Sequence, residues 1–161
     1  MTKRKWGNEA QVNTPTTGFQ LDPVITTLTD GGYVIAWHDF GSDPDVIRLQ
    51  IFNADSTARG SEVELANSIF PAESQQPSLA ALDDGGFVVV YEADRIGGDS
   101  DPVFQRFDAN GTPVGAQTSA SPTSDEELFA SVSALGSGFV TVWGDDTTTN
   151  IEIQRYTSNG I

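Results

Sequence analysis

The stretch that decides the fold is Leu82-Asp83-Asp84-Gly85-Gly86-Phe87-Val88-Val89-Val90-Tyr91, near the middle of the 161-residue chain. Closely similar stretches stand on either side of it, at residues 28–37 and 135–143. The aromatic residue that follows the glycine turn recurs at intervals of 54 and then 52 residues. A repeat of this length predicts an array of equal structural units.

Each copy predicts four short antiparallel strands. A glycine-rich turn, such as Asp84-Gly85-Gly86, separates two apolar runs and is a common hairpin signal. A third strand follows a polar loop and ends in a second turn, such as Asp108-Ala109-Asn110-Gly111, after which a fourth strand begins. No segment shows a sustained helical period of apolar residues. The fold class predicted is therefore all-β, a β-propeller with three four-stranded blades per chain.

The third copy stops just after its second turn and lacks a fourth strand. Residues 5–13 resemble the missing part, because they continue the third copy without a gap when they are placed after Ile161. They are predicted to be a displaced outer strand of the third blade. The predicted single repeat domain, residues 1–161, then has its blades at residues 21–67, 76–119 and 128–161.

Three blades are too few to close a propeller, and an open array would leave unpaired strand edges. Two copies would give a six-bladed ring with a two-fold axis. We therefore expect a head-to-tail homodimer in which the N-terminal strand of one subunit completes the third blade of its neighbour. Two alternatives remain open, a three-blade excerpt of a longer natural array and an engineered propeller fragment.

The composition narrows the class of partner. There are 23 acidic against 8 basic residues, giving a net charge of −15, so the surface should repel nucleic acid. No apolar run is long enough to cross a membrane, and the start of the chain does not have the pattern of a signal peptide. The chain has no cysteine, which excludes disulfides and thiolate metal sites.

Acidic side chains concentrate in the loops that follow the second strand of each copy. Alternating acids with backbone carbonyls between them supply the hard oxygen ligands that Ca²⁺ prefers, although no complete EF-hand pattern is present. Aspartate is also common in loops for its turn-forming properties alone. Calcium is therefore a candidate cofactor, and solvated loop acids are the alternative. The candidate ligands are Asp43, Asp45, Asp99, Asp101, Asp145 and Asp146.

Trp37, Tyr91 and Trp143 occupy equivalent positions at the end of the second strand. One interpretation is packing between blades, since the residues before them are apolar. The other is a platform on which a sugar stacks, giving one lectin-like glycan site per blade. These three residues are the candidate ligand-binding residues.

Catalysis is weakly indicated. The single histidine, His38, is expected to be exposed or locally bonded, and no nucleophile motif accompanies it. Paired carboxylates for glycoside hydrolysis could lie on so acidic a face. Acids that recur in every blade are more typical of scaffold, however, so no enzymatic activity is predicted.

The second copy, from Asp84 to Gly115, resembles a repeat of very large secreted bacterial proteins of the RTX-type calcium-binding or cadherin-like adhesin class. The resemblance is carried by Asp-Gly-Gly-Phe-Val-Val and by Gln-Arg-Phe-Asp-Ala-Asn-Gly-Thr-Pro-Val-Gly. It implies a propeller-like array and an extracellular location. The glycine-rich nonapeptides of RTX β-rolls are missing, so the resemblance does not imply their calcium sites. The expected function is a non-enzymatic, self-assembling module; carbohydrate or calcium binding on the acidic loops is the alternative, and a hydrolase ranks last.

Overall fold

The computed structural model describes residues 8–65, 73–95, 98–121, 123, 125–158 and 160. These residues form eleven strands and no helix. A helix long and apolar enough to cross a membrane is accordingly not found among them. The strands are β1 Gln20–Thr27, β2 Tyr33–Asp39, β3 Val46–Phe52, β4 Ala58–Leu65, β5 Ser74–Ala81, β6 Phe87–Asp94, β7 Ser100–Phe107, β8 Pro113–Ser119, β9 Glu127–Leu135, β10 Gly138–Asp145 and β11 Asn150–Thr157.

The strands form three antiparallel sheets, in each of which every strand pairs with the next along the chain. The first sheet contains β1–β4, the second β5–β8 and the third β9–β11. Strand β5 lies against both β1 and β9, so the first strands of the sheets surround a common axis. This arrangement confirms the prediction of an all-β, propeller-like fold. The dimer and the number of blades in a closed ring stay predictions.

The glycine turns form the hairpins that the sequence predicts. Gly85 has a φ of 89°, a left-handed conformation that costs glycine little. The Asp84 carboxylate accepts a hydrogen bond of 3.0 Å from the Gly86 amide and so closes the turn. Asp30 does the same for Gly32, at 2.9 Å.

The core lies between the sheets. Phe87, Val89 and Tyr91 pack against the first sheet, and Val88 and Val90 pack against the third. All five side chains are fully buried. A strand covered on both faces explains why this run is apolar without interruption.

A stacked aromatic pair contributes to each of the two sheet–sheet contacts. Phe87 and Phe107 stack with ring centroids 5.1 Å apart, on the side of the second sheet that meets the first. Phe139 and Tyr156 stack at 4.9 Å on the third sheet, facing the second. Burying such large rings contributes strongly to the stability of both contacts.

The N-terminal segment lies against the first sheet. Thr14 donates two hydrogen bonds of 2.9 Å to a Glu62 carboxylate oxygen, from its amide and from its hydroxyl. Val12, Asn13 and Trp37 line the same pocket. Residues 8–13 of the predicted displaced strand therefore belong to no sheet in the single chain, and residues 5–7 lie outside the described residues.

Candidate functional site: an axial cavity

The first strand of each sheet is interrupted at the same place. The pairing of β1 with β2 skips two residues between Leu21 and Val24, and that of β5 with β6 skips two between Gln75 and Ser78. The pairing of β9 with β10 skips two after Leu128. Each interruption is a β-bulge in which two residues oppose one, a feature that re-aims side chains next to functional sites.

The first residue of each bulge has a left-handed backbone. The φ angles are 49° at Asp22, 50° at Gln76 and 59° at Phe129. Aspartate tolerates this region better than most residues, whereas for glutamine and phenylalanine it is unusual. Such a conformation costs about 1–3 kcal/mol, persists only when the surroundings impose it, and is found most often at ligand sites. We call these three the inner bulge residues.

The inner bulge residues meet at a cavity of about 620 Å³ that all three sheets line near the axis. We call it the axial cavity. Asp22 is the only carboxylate among the described residues that line it. Phe129, which is 72% exposed, and Phe40 give it apolar surface. Its remaining polar lining comes from His38, Gln75, Gln76, Ser78 and Ser131.

A buried carboxylate holds the third bulge in place. Glu92, at the end of β6, is fully buried and accepts a hydrogen bond from the Phe129 amide across the sheet boundary. Burial raises the pKa of Glu92, against the opposing effect of the amides of Phe129 and Ala130. Glu92 therefore fixes the position of Phe129 in the cavity wall.

His38 holds the corresponding position in the first sheet. It lies on β2 and lines the axial cavity, although it is only 2% exposed. Its Nε2 atom is 3.4 Å from a carboxylate oxygen of Asp45, and its ring packs on Phe40 with centroids 3.9 Å apart. The histidine is thus buried beside Asp45 and Phe40, and the expectation of an exposed side chain is wrong.

The three aromatic residues that were candidates for sugar stacking are buried in the core. Trp37 and Trp143 are each 4% exposed and Tyr91 is 0% exposed. Each lies on the second strand of its sheet, directly opposite the two bulge residues of the first strand. Trp37 also donates from Nε1 to the Gln20 side chain at 2.7 Å. In the single chain these rings support the bulges and present no open face.

The candidate calcium ligands of the first and third loops differ in their surroundings. Asp43 and Asp146 are exposed, and Asp45 faces His38. Asp145 accepts a hydrogen bond of 2.7 Å from the Thr148 amide, which lowers its pKa. Within the described residues, no group of three or more His, Cys, Asp or Glu side chains is placed to hold a metal ion. Calcium at these loops stays a prediction.

The two candidates of the second loop, Asp99 and Asp101, share Arg95. The Arg95 Nη1 atom lies 3.6 Å from Asp99, and its Nε atom donates to Asp101, whose side chain is fully buried. Burial raises the pKa of Asp101 to about 6; Arg95 opposes this shift, and Glu127 on the third sheet adds to it. The Asp101 and Glu127 carboxyl groups thus face each other where two sheets join.

This acid pair predicts a pH dependence of stability. The folded pKa of Asp101, about 6, lies above the ordinary 3.8, so the folded state binds more protons than the unfolded state between these values. We expect the melting temperature to rise by about 2–6 °C as the pH falls from about 7 to about 4. Thermal melts of Asp101→Asn should lack this rise. Asp99→Asn, which removes the same charge from Arg95, should keep it; equal profiles for both variants would contradict the assignment.

No model of a known protein family matches the sequence, and neither does any curated protein. Solved structures do resemble the fold. A thermostable family-43 glycoside hydrolase matches with a TM-score of 0.54 and 17% identity, over 88% of this chain and 56% of that chain. A GH43 endo-arabinanase from Bacillus licheniformis matches with a TM-score of 0.40 and 14% identity, over 88% and 75%. At these identities the likeness shows the fold alone.

These comparisons correct the functional prediction. A non-enzymatic module was expected, with a hydrolase as the last choice, yet the solved structure that matches this fold with a TM-score of 0.54 is that of a glycoside hydrolase. The expectation that the chain is non-enzymatic is therefore wrong, whereas its self-assembly stays a prediction. The chain spans 56% of the length of the thermostable enzyme.

The repeat pattern does not reveal the inner bulge residues, because it consists of what the copies share. Asp22, Gln76 and Phe129 are three different residue types at one repeat position. A usable signal was nevertheless present: Pro23 and Pro77 follow that position in two copies. Proline cannot donate to the ladder, so it marks a bulge or an edge in a strand.

Proposed function

We propose that the axial cavity binds an uncharged glycan and that the chain is part of a propeller of the glycoside hydrolase type. The observation that carries this proposal is the convergence of the three inner bulge residues on one cavity. Backbone strain is repeated there three times, in residues that differ between the copies. A purely structural bulge would not require a carboxylate, an amide and an exposed aromatic ring at one point on the axis.

The lining has the chemistry of a sugar site. A carboxylate and amides bind sugar hydroxyls, and an exposed ring such as Phe129 packs on the apolar face of a pyranose or furanose. The cavity volume of about 620 Å³ is in the range of small-ligand sites, which supports occupation by an oligosaccharide segment. The net charge of −15 favours neutral sugars over uronic acids.

Glycoside hydrolysis generally uses two carboxyl groups on either side of the scissile bond. Among the described residues of the axial cavity, Asp22 is the one that this chain provides. The likeness in fold to a family-43 glycoside hydrolase supports a hydrolase-type site at the axis. The chain's own contribution is to hold the sugar and to supply one carboxylate.

The test is to measure binding to a panel of neutral polysaccharides by affinity electrophoresis, together with release of reducing ends. Asp22→Asn should weaken binding at least about tenfold, since a charged hydrogen bond contributes about 1.5–3 kcal/mol. Asparagine accepts a positive φ, so the bulge is preserved. The matched control is Asp83→Asn, which changes the same charge at an exposed turn residue. Equal affinities for wild type and Asp22→Asn would contradict the proposal.

A further inference from the structure

We propose that two copies of this chain pack head to tail. The face of the third sheet that points away from the second sheet in one copy lies on the face of the first sheet that points away from the second sheet in the other copy. We call these two faces the outer faces. The inference extends the proposed function, because closing the array would place a second Asp22 at the axis. The interface itself rests on independent observations, which follow.

Every sheet carries a stacked aromatic pair, and one pair is uncovered. In the second and third sheets the pairs are Phe87 with Phe107 and Phe139 with Tyr156, and they belong to the two core clusters. The first sheet has the same pair, Tyr33 with Phe52, with centroids 4.9 Å apart and planes at 15°. Both of its rings are only half-buried, because no sheet formed by the described residues precedes the first one.

The second sheet also carries a residue that contacts the aromatic pair of the third sheet. Phe104 packs on Phe139 at 5.1 Å and on Tyr156 at 4.7 Å. Leu49 and Ile153 hold the equivalent register position, since the three residues pair with Ala36, Val90 and Val142 at matching places. Leu49 and Phe104 are 0% and 2% exposed, but Ile153 is 59% exposed.

The first strands of the sheets, β1, β5 and β9, likewise show a contact that is made inside the chain but is missing at its outer faces. At the boundary of the second and third sheets, the Ser78 hydroxyl accepts a hydrogen bond of 3.1 Å from the Val132 amide. Ser131 is the equivalent of Ser78, and Ile25 is the equivalent of Val132. The Ile25 side chain is 64% exposed, whereas that of Val132 is 9% exposed. A second copy would cover Ile25, and the Ser131 hydroxyl of that copy would accept a hydrogen bond from the Ile25 amide.

A second copy is the occupant that these observations indicate, because each uncovered face is the repeat equivalent of a face that its counterpart already buries within the chain. Ile153 of one copy then packs on Tyr33 and Phe52 of the other, as Phe104 packs on its own pair. Val12 and Asn13, which lie near Trp37 on the outer face of the first sheet, have to move aside. The closed dimer has two such interfaces, related by a two-fold axis.

Closure completes the chemistry of the axial cavity. With one Asp22 from each copy, a protonated carboxyl donates its proton to the glycosidic oxygen as the bond from the anomeric carbon to that oxygen breaks. Water forms the new bond to the anomeric carbon and gives its proton to the other Asp22 carboxylate. One water is consumed and the pair of carboxyl groups ends with the same number of protons.

The experiment is sedimentation or light-scattering mass of the full chain over a wide range of concentration. We expect the wild type to reach the mass of two chains. Ile153→Asp and Phe52→Lys should each weaken association at least about 100-fold, because each leaves a charge in an apolar contact. Val114→Asp, at a residue 41% exposed on the outer strand of the second sheet, should not weaken it.

Mixing the two charged variants provides the sharper test. One interface of the mixed dimer is then wild type, and the other brings the introduced aspartate of one chain onto the introduced lysine of its partner. Association should therefore recover in the mixture, whereas neither variant should dimerise alone. Ile153→Asp, made at an already exposed position, should fold and bind sugar through its own Asp22, but should lose hydrolysis.

Two results would overturn the interface. One is a wild type that stays monomeric at every concentration, and the other is unchanged association of Ile153→Asp. Loss of sugar binding in Asp22→Asn alone tests the proposed function separately, because that variant leaves the residues of the interface in place.

Discussion

Replacing Phe107 with alanine will lower the free energy of unfolding by about 3–5 kcal/mol. The ring is 1% exposed, stacks on Phe87 and belongs to the cluster that joins the first and second sheets. Its removal leaves a cavity that two facing sheets cannot easily close, so the lost contacts are not replaced. Urea denaturation followed by tryptophan fluorescence measures the change.

The control is Phe52→Ala, the same change at the equivalent position of the first sheet. Phe52 is half-buried, so at concentrations where the chain is monomeric its loss should cost only about 1–2 kcal/mol. The difference between two identical changes isolates the contribution of the neighbouring sheet. Equal losses in the two variants would contradict the assignment of inner and outer faces.

Replacing Glu92 with alanine will lower the free energy of unfolding by about 2–4 kcal/mol and will also weaken glycan binding. The Glu92 carboxyl group accepts a hydrogen bond from the Phe129 amide, and its removal leaves this partly buried donor without a partner. Phe129 is then free to leave its strained conformation, and the wall of the axial cavity changes shape. Chemical denaturation and affinity electrophoresis measure the two effects.

Glu92→Gln is the conservative control, because its carbonyl oxygen still accepts the Phe129 amide. We expect it to cost less than about 1 kcal/mol and to keep most of the glycan affinity. Burial already raises the pKa of Glu92, so a neutral side chain suits this position. If Glu92→Gln is as damaging as Glu92→Ala, the charge of Glu92 matters more than its hydrogen bond.

The sequence predicted the sheets well because their signals are local. The Asp84-Gly85-Gly86 turn needs a left-handed glycine and a capping carboxylate, and both are present. The uninterrupted run from Phe87 to Tyr91 indicates a strand buried on both faces, and that burial is found. Such features depend on neighbouring residues, so one sequence is enough to recognise them.

The axial cavity could not be predicted in the same way, because it depends on how three distant segments meet. Asp22 and Phe129 are 107 positions apart in the sequence and are of different types. Acids such as Asp101 do serve the scaffold, through Arg95 and the contact with Glu127. Asp22 has no acidic equivalent in the other two copies, so the repeat pattern does not mark it, although a binding or catalytic residue is needed only once per site.

The most direct measurement is an amide NMR titration of the chain with the neutral oligosaccharide that binds most strongly in the affinity panel. If the axial cavity is the site, the largest shifts will belong to Asp22, Gln76 and Phe129 and to their neighbours on β1, β5 and β9. The loops at residues 43–45 and 99–101 will then change little. Shifts concentrated in those acidic loops, with the inner bulge residues unmoved, would contradict the axial site.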